Sequence, residues 1–200
     1  MQILLLIIGA ALGESVYDAA KIARDLVHGV GVVGELATIM QSNSHGVAGV
    51  PYTSLQMVWD CDNEPGYPMV GLVSWGTHAK NVQTNANASI QIRHPSLYPT
   101  VDNPANRPGF LNNPRFTIFG QLQKQEKTSA HMACLLSKHP NAREWFNSHD
   151  FQFYKLLVIG SLNFIGGYGT DHYVGWIPSH LYLPSNLPSN HASCVFCRPW

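Results

Sequence analysis

The chain has 200 residues, 45% of them hydrophobic, which predicts one ordinary domain with a single sizeable core. Twelve basic and twelve acidic side chains cancel, so the chain lacks the basic excess of a nucleic-acid-binding surface. The charged fraction of 12% is about half the usual share, and the ten histidines are scattered along the sequence.

The first 13 residues form a short apolar run, MQILLLIIGAALG. A membrane span needs about 20 such residues, so we predict no span here. The small residues Ala11 and Gly13 occupy positions −3 and −1 of a cleavage site before Glu14, which is typical of a secretory signal peptide. The alternative is a buried strand or helix at the N-terminus. One N-glycosylation sequon, which begins at Asn87 (Asn-Ala-Ser), agrees with the secretory route.

The secondary-structure elements follow from apolar spacing and turn residues. Ser15 to His28 is the clearest helix, because Ser15 and Asp18 have the spacing of a capping box. Shorter helices are predicted at 128–137, capped by Thr128, and at 141–146. Strands are predicted at 34–40, 52–59, 69–74, 88–92, 116–122, 151–159, 162–165 and 172–177. Many short strands without strand–helix–strand alternation predict a mainly antiparallel barrel with peripheral helices.

Two segments lack such spacing. The Pro- and Asn-rich stretch 93–114 predicts a long loop over one face of the domain. Beyond Pro178 the motif Leu-Pro-Ser-Asn occurs twice without an apolar period, so a tail on the surface or a disordered tail is predicted for 179–200.

Four cysteines would enter an oxidising compartment on the secretory route, namely Cys61, Cys134, Cys194 and Cys197. They can pair in three ways, and spacing does not select one. The motif His191-x-x-Cys194-x-x-Cys197 has neither the second motif of a zinc site nor the surroundings of a thioredoxin-like redox site. We therefore predict a disulfide or free thiols in the tail and no metal site.

A candidate anion site lies between the strands 69–74 and 88–92. Gly76 ends the first strand, Thr77 is predicted to cap a short helix, and Lys80 then occupies position N3. The helix N–H groups, the Lys80 ammonium and the hydroxyls of Ser74 and Thr77 all favour negative charge there. The alternative is a capped surface helix with a solvated lysine. The sequence contains no P-loop and no G-x-S-x-G nucleophile motif, so no catalytic residue is assigned.

The same stretch carries a resemblance to a known family. Ser74, His78 and the run Asn81-Val82-Gln83-Thr84-Asn85, followed by Ala88-Ser89-Ile90, resemble the FMN-binding split β-barrel proteins related to pyridoxamine-phosphate oxidase. The most similar branch is the CREG family of secreted glycoproteins. Later matches occur in the same order: Lys138-His139-Pro140, Trp145, Ser148-His149-Asp150-Phe151, Phe153, Lys155-Leu156 and Gly166-Gly167.

The resemblance implies a six-stranded split barrel that forms a homodimer. It places an FMN phosphate near Ser54, Ser74, Thr77, His78, Lys80 and Asn81. Flavin-binding relatives often carry an arginine just after the serine, where this chain has Trp75, and CREG-type members are not expected to hold FMN. Lys80 would supply only a point charge in place of the two-pronged arginine contact.

Two functions remain open from the sequence. One is a secreted or endolysosomal CREG-like glycoprotein, a non-catalytic dimeric binding module with a protein receptor. The other is an FMN-dependent oxidoreductase with FMN at the dimer interface. In domain terms, the expectation is a signal peptide at 1–13, a CREG-like domain at 14–178 and the tail beyond it.

Overall fold

The computed structural model describes residues 13–28, 32–41, 46–61, 65–94 and 113–183. In chain order the elements are α1 (Val16–His28), β1 (Val32–Ile39), β2 (Pro51–Trp59), β3 (Met69–Val73), α2 (Thr77–Thr84), β4 (Asn87–Arg93), β5 (Arg115–Gln125), α3 (Ser129–Lys138), α4 (Ala142–Ser148), β6 (Phe151–Val158), β7 (Ser161–Ile165), β8 (Val174–Pro178) and α5 (Ser179–Tyr182). The predictions for residues 1–12, for most of the loop 93–114 and for His191, Cys194 and Cys197 lie outside the described residues.

Six strands close into an antiparallel barrel. Their order is β4-β1-β2-β3-β6-β5, and β5 pairs with β4 at the closing edge. Strands β7 and β8 form a hairpin that continues the sheet from β5. Each predicted strand is present, and β5 extends three residues further than predicted, to Gln125. The predicted mainly β fold with a six-stranded barrel and peripheral helices is confirmed.

Alternation along the strands separates the inside of the barrel from its outer face. On β4, Ile90 and Ile92 are completely buried, whereas Asn87 is exposed. Leu36 on β1 lies opposite Ile90 and is also completely buried. These inward side chains, together with residues of α1 and α5, form the main core. Each such side chain stabilises the fold by about 1.5–3 kcal/mol when fully buried.

Helix α1 begins with the predicted capping box. The backbone N–H of Ser15 donates to Asp18 Oδ2 at 3.0 Å, and the backbone N–H of Asp18 donates to Ser15 Oγ at 3.2 Å. Hydrogen bonds from the side chain and then the backbone of Ser15 lower the pKa of the Asp18 carboxyl. The alanines at 19, 20 and 23 are buried, so this helix lies closely against the barrel.

The prediction of a surface or disordered tail is wrong for residues 179–183. Helix α5 buries Tyr182 completely, and Leu183 is 7% exposed. Arg24 on α1 holds this end by donating to the carbonyl oxygens of Leu181 and Tyr182, the latter at 3.2 Å. A four-residue helix inserts only one large side chain, so it leaves no periodic signal in the sequence.

Helices α3 and α4 cover the outer face of β2, β3 and β6 and enclose a second core. Its buried members are Trp59, Cys61, Met69, Leu135, Ala142, Phe146 and Phe153. A Cβ atom on Gly71 would lie 2.5 Å from Phe146 Cζ, so only glycine lets this ring approach β3 so closely. Thr128 caps α3 as predicted, because its side chain accepts a hydrogen bond from the His131 backbone at 3.1 Å.

A disulfide joins the second core to the barrel. It links Cys61, just after β2, to Cys134 on α3, with the two Cα atoms 5.9 Å apart. Of the three pairings that the sequence leaves open, the structure therefore selects the one that contains Cys61–Cys134. The turn between α3 and α4 is held separately, because the ring of His139 donates from Nε2 to the Val58 carbonyl at 3.0 Å.

Candidate functional site

A network of hydrogen-bonded polar side chains lies where helix α2 covers one end of the barrel. His78 on α2 is 5% exposed and joins two hydroxyl groups. Its Nδ1 lies 2.8 Å from Thr38 Oγ1 on β1, and its Nε2 lies 2.9 Å from Ser54 Oγ on β2. Thr38 and Ser54 both face inward, because they alternate with the outward residues of their paired strands. We call this group of side chains the His78 network.

Asn81, one helical turn after His78, completes the network. Its Nδ2 donates to Thr38 Oγ1 at 2.9 Å, and its Oδ1 accepts from the Gln41 backbone N–H at 3.3 Å. The side chain is 3% exposed. Both ends of the carboxamide are therefore hydrogen-bonded within the protein, as buried amides generally are.

The outer end of the network is less deeply buried. Ser54 Oγ also accepts a hydrogen bond from Gln56 Nε2 at 3.0 Å. The ring of Tyr52 packs against the imidazole of His78 with their centroids 4.7 Å apart. Ser54, Gln56 and Tyr52 are each partly exposed. A solute would therefore meet the network from the Ser54 side.

Burial determines the charge of His78. Loss of solvent lowers its pKa from 6.5 to about 4, because the charged imidazolium is poorly solvated there. At neutral pH the ring is uncharged, so one ring nitrogen donates a proton to a hydroxyl and the other accepts one. Hydroxyl groups can take either role, so both tautomers fit the observed distances. The network is consequently uncharged at neutral pH.

The six predicted binding residues divide into two groups. Ser54, His78 and Asn81 come together in the His78 network. Ser74, Thr77 and Lys80 lie at the start of α2, and none of them joins a hydrogen bond of the network in the part of the chain that the structure describes. Whether these residues bind an anion remains a prediction.

The prediction that Thr77 caps α2 is wrong. The cap is Gly76, in extended conformation at φ −72° and ψ 160°, and no side chain accepts a hydrogen bond from the helix N–H groups there. The reason is a tight turn, in which the Gly76 N–H donates to the Val73 carbonyl at 2.8 Å, so the helix starts one residue earlier than expected. Lys80 therefore occupies position N4 instead of N3, and its side chain is exposed.

Sequence reasoning missed Thr38, Gln41, Tyr52 and Gln56. Thr38 is 1% exposed and contacts both His78 and Asn81. A signal was present, because Thr38 falls on the same alternating positions as Leu36 within a predicted strand. A polar residue on the inward face of a strand needs a buried partner, and His78 is that partner.

A groove of about 680 Å³ lies on the outer face of the barrel, between β1–β3 and the α3–α4 turn. Its wall is largely apolar and includes Leu55, Met57, Trp145 and Phe151. The side chain of Gln56 bonds to Ser54 on the inward face of β2, so the groove and the His78 network lie on opposite faces of this strand. This volume is within the usual range for small-ligand sites.

Asn87, the predicted glycosylation site, is exposed at the start of β4. Its Oδ1 accepts a hydrogen bond from Gln121 Nε2 on β5 at 3.1 Å. The attachment atom for a glycan is the nitrogen of the same carboxamide.

No helix in the described ranges is long and apolar enough to cross a membrane. Within the same ranges, no group of three or more His, Cys, Asp or Glu side chains is arranged to hold a metal ion.

Comparisons with known proteins concern the family and the fold. A family model described as CREG, beta-barrel matches residues 14–184. No curated protein sequence matches the chain significantly.

Solved structures share the fold at low sequence identity. A heme binding protein from Mycobacterium smegmatis is 23% identical, with 82% of this chain and 59% of that chain covered and a TM-score of 0.60. A protein of unknown function from Agrobacterium tumefaciens is 21% identical, with 78% and 60% covered and a TM-score of 0.56. HutZ, the heme storage protein from Vibrio cholerae, is 16% identical, with 76% and 95% covered and a TM-score of 0.50. The chain thus spans about 60% of the length of the first two proteins.

Proposed function

Because the chain belongs to the CREG family, within the pyridoxamine-phosphate oxidase-like split-barrel superfamily, we propose that it is a non-catalytic dimeric binding module. The resemblance stated from the sequence is confirmed at the level of the family and the fold. The module works after secretion, outside the cell or in the endolysosomal lumen, and its partner is a protein receptor.

The observation that carries the proposal is the state of the predicted cofactor residues. Ser54, His78 and Asn81 hydrogen-bond to Thr38 and to neighbouring groups, so their polar atoms are already satisfied. A phosphate would have to break these bonds, and each net hydrogen bond is worth about 0.5–1.5 kcal/mol. The network offers no positive charge in return, because burial keeps His78 neutral. The phosphate half of FMN therefore does not fit this set of side chains.

A secreted chain is supported by three separate features. The apolar run that ends at Gly13 has the length of a signal peptide. The Cys61–Cys134 disulfide is of a kind that persists in oxidising compartments. The sequon at Asn87 is exposed, so an oligosaccharide could be attached there.

The dimer is supported by the exposed apolar side chains around the groove. Leu55 is 61% exposed, and Trp145 is 55% exposed. Both side chains line the groove of about 680 Å³, so the same patch of surface contains protruding apolar side chains and a depression. In a dimer, the protruding side chains of one copy could enter the groove of the other. A twofold interface requires this self-complementarity. Such an interface would bury about 1,600 Å² in total.

The groove also favours a second candidate function, an FMN-dependent oxidoreductase. Trp145, Phe151 and Met57 form a wall that could receive a planar ring system. Lys80, at the start of α2, is the one charged residue among the six predicted binding residues that could meet a phosphate. This candidate has the weaker support, because the phosphate would compete with the hydrogen bonds of the His78 network.

An absorption spectrum of the protein purified from secreting cells tests the two candidates. The binding module shows no flavin band, and added FMN keeps its fluorescence. A stoichiometric flavin band would establish the oxidoreductase and overturn the proposal.

The dimer has its own test. Leu55→Asp places a charge at the rim of the groove and is expected to halve the mass seen by light scattering. Tyr17→Asp is the control, because Tyr17 is 68% exposed and lies on α1. A wild-type mass that stays at the mass of one chain at all concentrations would contradict the dimer.

A further inference from the structure

Two exposed aromatic rings lie together on the sheet, and neither belongs to the residues that line the groove. Phe119 on β5 is 37% exposed and Trp176 on β8 is 57% exposed. Their ring centroids are 5.8 Å apart. Ile159, whose backbone N–H donates to the Phe119 carbonyl at 2.9 Å, is also 47% exposed. Contiguous exposed apolar surface of this kind commonly marks a contact site.

The glycosylation sequon borders this aromatic pair. In the register of β4 and β5, Ser89 lies directly opposite Phe119, and Asn87 lies directly opposite Gln121. The hydrogen bond from Gln121 to Asn87 shows that these two side chains are on the same face. Asn87 and Phe119 are therefore diagonal neighbours, about 7–8 Å apart.

We propose that the first sugars of an N-glycan on Asn87 lie on Phe119 and Trp176. The proposal rests on the secretion and glycosylation proposed above. The ligand class is N-acetylglucosamine, whose C–H groups would meet the negative faces of the aromatic rings. The sugars shield the exposed rings, and the rings fix the direction in which the glycan leaves the barrel.

Covalent attachment is why the glycan is the favoured occupant. A free sugar would bind such an open surface weakly, because it would lose its translational freedom. A sugar linked to Asn87 is held beside Phe119 at an effective concentration in the millimolar range. The attached sugar therefore contacts the rings far more often than a free sugar at low concentration would.

The experiment measures the gain in melting temperature that the glycan gives. Ser89→Ala is the unglycosylated reference, because it destroys the sequon and leaves Asn87 and Gln121 in place. The gain is compared in the wild type, in Trp176→Ser and in Phe119→Ser. Tyr17→Ser is the control, because it removes an exposed ring on α1, on an element remote in sequence from the sequon.

The expected gain is about 2–4 °C in the wild type and in the control, as for a contact of the strength of an aromatic pair. It should vanish in Phe119→Ser and fall in Trp176→Ser. In NMR spectra the first sugar's protons should be shifted upfield by the rings, and this shift should be lost in the same two variants.

Three results would overturn the proposal, and each has a separate meaning. Mass spectrometry that finds Asn87 unmodified refutes both the glycosylation and the sugar contact. A glycan that is present but raises the melting temperature equally in the wild type and in all three ring variants refutes the sugar contact and leaves the glycosylation standing. A halved mass for Trp176→Ser in light scattering would show that a second copy covers the rings instead.

Discussion

Acid should destabilise this protein through His78, because its buried imidazole resists protonation in the folded state. Between pH 6.5 and about 4 the unfolded chain takes up a proton on this ring and the folded chain does not, because burial lowers the pKa to about 4. The unfolded state then binds more protons, so the free energy of unfolding falls as the pH falls through this range. Above pH 6.5 both states are neutral at this ring, and below about pH 4 both are charged, so the effect levels off at each end.

The size of the loss in unfolding free energy follows from the pKa shift of His78. Between pH 7 and 4.5 the full shift corresponds to about 2.4 kcal/mol of unfolding free energy. The partly exposed Ser54 end of the network admits solvent and reduces the penalty. We therefore expect about 1–2 kcal/mol, or a fall of about 2–8 °C in melting temperature from this residue alone.

The assay compares the pH dependence of unfolding in three proteins. Urea titrations of the wild type, His78→Gln and His149→Gln are followed by tryptophan fluorescence at pH 7 and pH 4.5. His78→Gln should start less stable, because glutamine cannot reach both Thr38 and Ser54, but it should lose about 1–2 kcal/mol less on acidification. His149 is exposed, so its variant should behave as the wild type does. Equal losses in the wild type and His78→Gln would refute the reasoning.

The remaining predictions concern single side chains. Thr38→Val should destabilise the fold by about 1–3 kcal/mol in thermal unfolding, because Asn81 and His78 lose a buried partner, and a change below about 0.5 kcal/mol would contradict this. Gly71→Ala should cost about 1–3 kcal/mol and alter the near-UV circular dichroism, because the new methyl group meets Phe146; an unchanged spectrum would show that the ring moves freely. Lys80→Ala should weaken any binding of FMN about ten- to a hundredfold in fluorescence titrations and leave the melting temperature unchanged, whereas equal measurable affinity would place the phosphate elsewhere.

Local signals in the sequence were enough to predict the strands of the barrel and the start of α1. The alternation around Ile90 and Ile92 predicts a strand with one buried face, and both residues are completely buried. The spacing of Ser15 and Asp18 predicts the start of α1, and the capping hydrogen bonds are present. These features depend on neighbours only a few residues away, so one segment of sequence contains the whole signal.

Contacts between distant segments could not be predicted in the same way. Thr38 and His78 are 40 residues apart, and their hydrogen bond exists only because α2 folds back over β1. The position of Tyr182 depends on Arg24, which is 158 residues away. The predicted cap of α2 was wrong for a different reason. Gly76 and Thr77 are both acceptable cap residues, and the hydrogen bond from Gly76 to Val73 decides between them.

The disulfide also governs what a cut in the chain would do. Strands β3, β4 and β5 all lie between Cys61 and Cys134, so the bond encloses three of the six barrel strands in one covalent loop. A protease that cleaves any single peptide bond in this loop produces two fragments that remain attached to each other. The barrel then keeps its pairing partners at high local concentration, and the nicked protein still migrates as one species until the disulfide is reduced. A chain built this way tolerates one cut between Cys61 and Cys134 without release of a fragment, and reduction of the disulfide separates the two pieces.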